Sequence, residues 1–104
     1  MRSWLVYFVL VIAGVVAASS QSRSGYKPQA GFVPDQKTAI AVAEAILAPI
    51  YGEKKIAAER PFSAQLKDGV WTVSGSLPAG YAGGVAEIKI RKSDAAVIFV
   101  LHGK

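Results

Sequence analysis

The 104-residue sequence contains no cysteine, one histidine and one methionine. Without cysteine there is no disulfide framework, no thiolate zinc site, no iron-sulfur ligation and no thiol chemistry. The single imidazole, His102, stands almost at the end of the sequence, and the scattered carboxylates supply no ligand set around it. It reads as an ordinary strand-end residue. Charge is sparse too. Asp, Glu, Lys and Arg make up 18% of the chain, and 12 basic against 7 acidic side chains leave a net +5. An excess this mild is not a nucleic-acid footprint. Hydrophobic residues reach 52%, but 15 of them fall within Met1 to Ala18. The remainder has the ordinary apolar content of a globular domain, and the length allows one domain.

The N-terminal concentration has a specific form. Arg2 precedes Trp4 to Ala18, a run in which only Gly14 is not apolar; small residues Val16-Ala17-Ala18 end it before the polar Ser19-Ser20-Gln21-Ser22. A basic start, a short apolar stretch and a small-residue end describe a secretory signal peptide, residues 1–18, cleaved after Ala18 or Ser20. As a helix the run is about 22 Å long, short of the ~30 Å hydrocarbon core, so a permanent span is the weaker reading. Retention as an N-terminal membrane anchor is the alternative. The product is then periplasmic or secreted. Residues 19–31, with Ser22, Ser24, Gly25, Pro28 and Gly31, read as a flexible linker. The folded domain is assigned to residues 32–104, small enough that every large side chain counts.

Within that domain the hydrophobic period changes once. Asp35 is placed to cap a helix whose apolar face is Ala39, Ile40, Ala43, Ile46, Leu47 and Ile50. Pro49 is expected to kink or end it near Ala48, with Tyr51-Gly52 closing it. Glu53 to Glu59 holds a further helical turn with only Ile56 to bury. From Pro61 the period is two. Phe62, Ala64 and Leu66 share one face, Asp68-Gly69 makes a tight turn, and Trp71, Val73 and Leu77 continue the inward row. Gly75 interrupts that row as a bulge or a place of close approach. A third strand sets Ala86, Ile88 and Ile90 inward against Glu87, Lys89 and Arg91. Val97 to Leu101 is apolar on both faces, which predicts a central strand or one under a second layer. The sum is an α+β fold: an N-terminal helix packed on a curled four-stranded antiparallel sheet.

Chemistry-bearing patterns are few. Ser74-Gly75-Ser76 lacks the Gly-x-Ser-x-Gly turn that presents a nucleophile. The glycine-rich loop Pro78 to Gly84 is followed by neither Lys-Ser nor Lys-Thr, so it is not a phosphate cradle. It does set Tyr81 among glycines, a large amphipathic ring of the kind enriched at interfaces. Lys89 and Arg91 share a strand face. Tyr81, Lys89 and Arg91 are therefore the candidate partner-binding residues; no catalytic residue, metal ligand, cofactor or nucleic-acid ligand is assigned.

One resemblance adds to these readings. Pro34-Asp35, Lys37-Thr38-Ala39-Ile40, Ala43-Glu44-Ala45-Ile46 and Pro49-Ile50-Tyr51-Gly52-Glu53-Lys54 resemble the opening of the nuclear transport factor 2 fold immunity proteins. The likeness continues through Arg60-Pro61-Phe62, Asp68-Gly69-Val70-Trp71, Leu77-Pro78, Gly83-Gly84-Val85-Ala86 and His102-Gly103-Lys104, covering about 32–104. It implies a reduced nuclear-transport-factor-like, or cystatin-like, α+β domain of a bacterial polymorphic toxin system. The implied function is non-enzymatic: an immunity protein that binds and neutralises a cognate protein toxin, here through the polar sheet face and the Pro78 to Gly84 loop. Asp94-Ala95 stands where the family tends to have Asp-Gly, which predicts another geometry for the last hairpin. The competing reading is an exported envelope domain that binds a small molecule or peptide between helix and sheet.

Overall fold

The computed structural model describes residues 24–104; the signal peptide expected at 1–18, its expected cleavage and the first residues of the expected linker fall outside them. Two helices, α1 (Gln36–Tyr51) and α2 (Glu53–Ala58), precede four strands, β1 (Ser63–Lys67), β2 (Val70–Ser74), β3 (Ala86–Arg91) and β4 (Val97–His102). All neighbouring strands are antiparallel, in the order β1-β2-β3-β4. This is the α+β helix-on-sheet architecture that the change of period predicts.

Asp35 caps α1: its Oδ1 accepts from Thr38 N–H at 2.8 Å, satisfying one of the free amides of the first turn. The Thr38 side chain first, and that backbone bond after it, hold the Asp35 carboxyl below the usual carboxylate range. Ala39, Ala43 and Leu47 are fully buried, and the two alanines let the helix backbone approach the sheet. Ile50, placed on the same face by its spacing, is instead exposed. Pro49 does not stop the helix, which continues to Tyr51. Pro49 and Ala45, the residue whose carbonyl it would crowd, are both exposed, so the carbonyl can tilt toward water instead of into packing. Gly52, at φ 101°, then ends α1 with its N–H on Ala48 O.

On the sheet's inner face, Ala64, Val73 and Ile88 form one cross-strand row and Trp71 and Ile90 another, all buried under the helices. Asp68 (φ 51°) and Gly69 (φ 76°) both take the left-handed conformation that a two-residue hairpin requires. Trp71 reaches beyond the sheet, where its Nε1–H donates to Val33 O at 2.8 Å. Val33 N–H donates in turn to Lys92 O, and Phe32 N–H to Ser93 O. The segment before α1 is thereby stitched across the β2 tryptophan to the β3–β4 turn.

Three sequence expectations fail at the sheet's periphery. Leu66 and Leu77 are exposed: Leu66 lies on an edge strand, and β2 has ended before Leu77. β4 is not central but an edge of the sheet, and among the described residues nothing covers it: Val97, Ile98, Phe99 and Leu101 are between 42% and 49% exposed. The last hairpin accommodates Ala95 at φ 63°, the left-handed conformation that glycine adopts at lower cost, with Asp94 Oδ1 accepting from Ala96 N–H to close the turn.

Two stability predictions follow from these contacts. Trp71→Ala removes the largest buried side chain of β2 and should cost about 3–5 kcal/mol in urea denaturation, whereas Trp71→Phe, which mainly orphans Val33 O, should cost about 1–2 kcal/mol. Because folding lowers the Asp35 pKa, its cap stabilises above the ordinary carboxylate range and loses that effect as pH falls through the folded value. The difference in melting temperature between wild type and Asp35→Ala should therefore narrow on acidification below about pH 4.

Candidate functional site

The outer face of the sheet is built from the residues that alternate with the core. Gln65, Thr72, Lys89 and Phe99 form one row across the four strands, and Ser63, Ser74, Glu87 and Leu101 the next. Among the described residues no helix covers this face. Thr72, Lys89 and Glu87 are half-buried by their neighbours, while Phe99 and Leu101 are half-exposed at the β4 side. Aromatic and aliphatic groups beside a cation make the mixture found at protein-binding surfaces.

The three sequence-chosen residues are not one cluster. Lys89 lies mid-sheet, between Thr72 and Phe99. Arg91 lies at the far end of β3, where Nη1 meets Asp94 Oδ2 at 2.9 Å. The Ala96 N–H first, and the Arg91 guanidinium after it, hold the Asp94 carboxyl below its ordinary range. Such an exposed pair is weak enough to exchange for an outside carboxylate. Tyr81, 71% exposed, sits in the loop that enters the opposite end of β3. A six-residue strand spans about 20 Å, so Tyr81 and Arg91 mark the two ends of a surface rather than one spot. That loop is anchored at its base: Gly84 is packed so tightly on Gly103 that a Cβ there would overlap the Gly103 backbone.

His102 has a partner that sequence reading did not assign. Its Nε2 lies 2.8 Å from Glu59 Oε2, its Nδ1–H donates to Gly103 O at 2.7 Å, and the Tyr51 ring packs beside it at a centroid distance of 5.1 Å. Glu59 Oε1 accepts from Ala86 N–H at 2.7 Å. The two side chains are only 13% and 8% exposed. A carboxylate beside an imidazole can serve acid-base chemistry, but here both ring nitrogens are engaged and the ring is walled in by Tyr51. The arrangement is a structural tie. Its one signal in the sequence is Gly75, since a Cβ at that position would overlap Glu59 Oε1. Among the described residues no group of three His, Asp or Glu side chains could hold a metal ion, and no helix is long and apolar enough to cross a membrane.

The family profile described as NTF2 fold immunity protein matches residues 38–104, from the first turn of α1 through the last strand. The chain belongs to the NTF2 fold immunity protein family. No curated protein and no solved structure matches it significantly. Among the described residues, Tyr81 and the β4 side chains Val97, Ile98, Phe99 and Leu101 are exposed. The space between helix and sheet is filled by fully buried Leu47, Ile56, Val73, Ile88 and Ile90.

The tie itself is testable. Glu59→Ala strands a buried amide and an imidazole and should cost about 3 kcal/mol or more in urea denaturation. Gly75→Ala should be similarly damaging in the wild type and lose only part of its cost in the Glu59→Ala background, where the overlapped oxygen is gone but the Cβ of residue 59, 2.9 Å from the added methyl, remains.

Proposed function

We propose that this protein is a non-enzymatic immunity protein that binds a cognate bacterial protein toxin and blocks it. The family match over 38–104 carries this reading. The uncovered outer face of the sheet supports it with a surface of suitable composition, in which Lys89 and Phe99 stand side by side between the Tyr81 loop and Arg91. Lys89 and Arg91 favour a toxin surface that is acidic where they dock, and Tyr81 supplies a large ring at low conformational cost. Inhibition needs no chemistry from this chain: covering the toxin's site excludes its substrate. The leader residues 1–18 support export, so that neutralisation takes place in the periplasm or outside the cell.

The test is capture of the tagged protein from envelope extracts of the native host, with its stoichiometric partner identified by mass spectrometry and then expressed alone. The partner should arrest growth by itself, and co-expression of this protein should restore growth. Tyr81→Ala should weaken the purified complex by about 2 kcal/mol, or roughly 30-fold, with the fold unchanged. A partner that is harmless alone, or growth arrest that co-expression does not relieve, would refute the immunity role. Full affinity in Tyr81→Ala would remove the loop from the interface and leave the role standing.

A further inference from the structure

The two edges of the sheet are treated differently. At β1, Lys67 and Gln65 keep the strand polar, and the Gln36 side-chain amide donates to Ala64 O at 3.2 Å, occupying an edge carbonyl. These are devices that discourage strand addition. β4 has no charge and no side-chain cover along its length, only a bulge opposite Lys89/Ile90: Val97 to Leu101 is uncharged, and four of its five side chains are roughly half-exposed. The direction of its free hydrogen-bonding groups can be deduced. Ala86 O accepts from Gly75 N–H, so Ala86 faces β2; Glu87, Lys89 and Arg91 then face β4, as Arg91 N–H on Ala96 O confirms. Leu101 and Phe99 pair with them. By alternation, the backbone groups of Val100 and His102, and of Ile98 beside the bulge, point away from the sheet.

We infer that this edge is a self-association site, at which β4 of a second copy adds antiparallel to form a continuous eight-stranded sheet. A two-fold axis at Val100 pairs Val100 with itself and Ile98 with His102, and sets Phe99 of each copy against Leu101 of the other on the outer face. Charge permits this pairing. Lys89 and Arg91 lie on β3, so those of the two copies are three strand spacings apart, about 14 Å, beyond a Debye length of ~8 Å at physiological salt. Antiparallel addition also carries each Lys104 toward the other copy's β3–β4 turn, where Asp94 lies, whereas parallel addition would stack the two Lys104 side chains. The four apolar side chains offer on the order of 300 Å² per copy, about 600 Å² for the pair, which is below the ~1,000 Å² of a stable interface and fits only a weak, transient one. The bulge at Lys89/Ile90 shortens the regular edge further. The dimer is therefore weak and concentration-dependent, and it leaves the outer face open to a toxin.

The experiment is sedimentation equilibrium of the protein as purified from its native host, from about 1 µM to 1 mM, with residue-resolved amide hydrogen exchange at both ends of the range. The apparent mass should rise toward twice the monomer. The Val100 and His102 amides, unprotected when dilute, should gain protection on concentration, and Leu101→Lys should weaken association at least tenfold. Lys67→Ala, on the opposite edge, should leave it unchanged. A monomer at all concentrations would overturn the inference. So would a dimer whose Val100 and His102 amides stay unprotected, because the copies would then meet by another surface. Protection of these amides only on adding the captured toxin would likewise refute self-association and give the edge to the toxin.

Discussion

Glu59 lies where the helical layer ends and the sheet begins, and its two oxygens are committed to different parts of the sheet. Oε1 takes the N–H of Ala86, the first residue of β3, and Oε2 meets His102, the last residue of β4. The backbone of the same residue accepts from Ser76 N–H just after β2. One residue therefore gathers the ends of three strands onto the close of α2, and Gly75 lacks a side chain because that carboxylate occupies the space. A buried polar group is tolerated only when its partners are all present, so the placement of Gly75, Ala86 and His102 is bound to the placement of Glu59. At the other end of the domain, the Trp71 indole does for the segment before α1 what Glu59 does for the strand ends.

With both ends tied, the helices need to cover only one face of the sheet. Ala39 and Ala43 bring α1 down onto the sheet, and buried Leu47, Ile56, Val73, Ile88 and Ile90 fill the space between the layers. Among the described residues the other face has nothing above it. An unpartnered sheet face and an unprotected apolar edge are costly for a chain that acts alone and useful for one that acts by binding. The concentration of apolar side chains at β4, next to the cations of β3, gives the molecule a sidedness suited to covering another protein.

Much of this was legible in the residues. The three-and-four spacing after Asp35, the period of two after Pro61 and the Asp68-Gly69 turn each rest on contacts within a few positions, and each appears where the spacing puts it. The inward rows Ala86-Ile88-Ile90 and Trp71-Val73 are equally local consequences of strand pleating. Misreadings cluster where a residue's neighbours come from elsewhere in the chain. Val97 to Leu101 has the composition of a buried strand, but composition cannot count the strands beside it. Leu66 and Leu77 follow the inward alternation, yet the first lies on an edge and the second beyond the end of the ladder. Pro49 has the chemistry of a helix stop, and only its position on the solvent side lets the helix pass.

The sequence by itself determined the elements, the order of their hydrophobic faces and the family, because these depend on periodicity and on residue types held at fixed spacing. Only the tertiary structure decided that His102 meets Glu59 across 43 residues, that Tyr81 and Arg91 stand at opposite ends of β3, and that the most apolar strand is the exposed edge. The physical reason is common to all three. Hydrogen-bond partners and burial are properties of what surrounds a side chain, and those surroundings exist only once distant segments have packed.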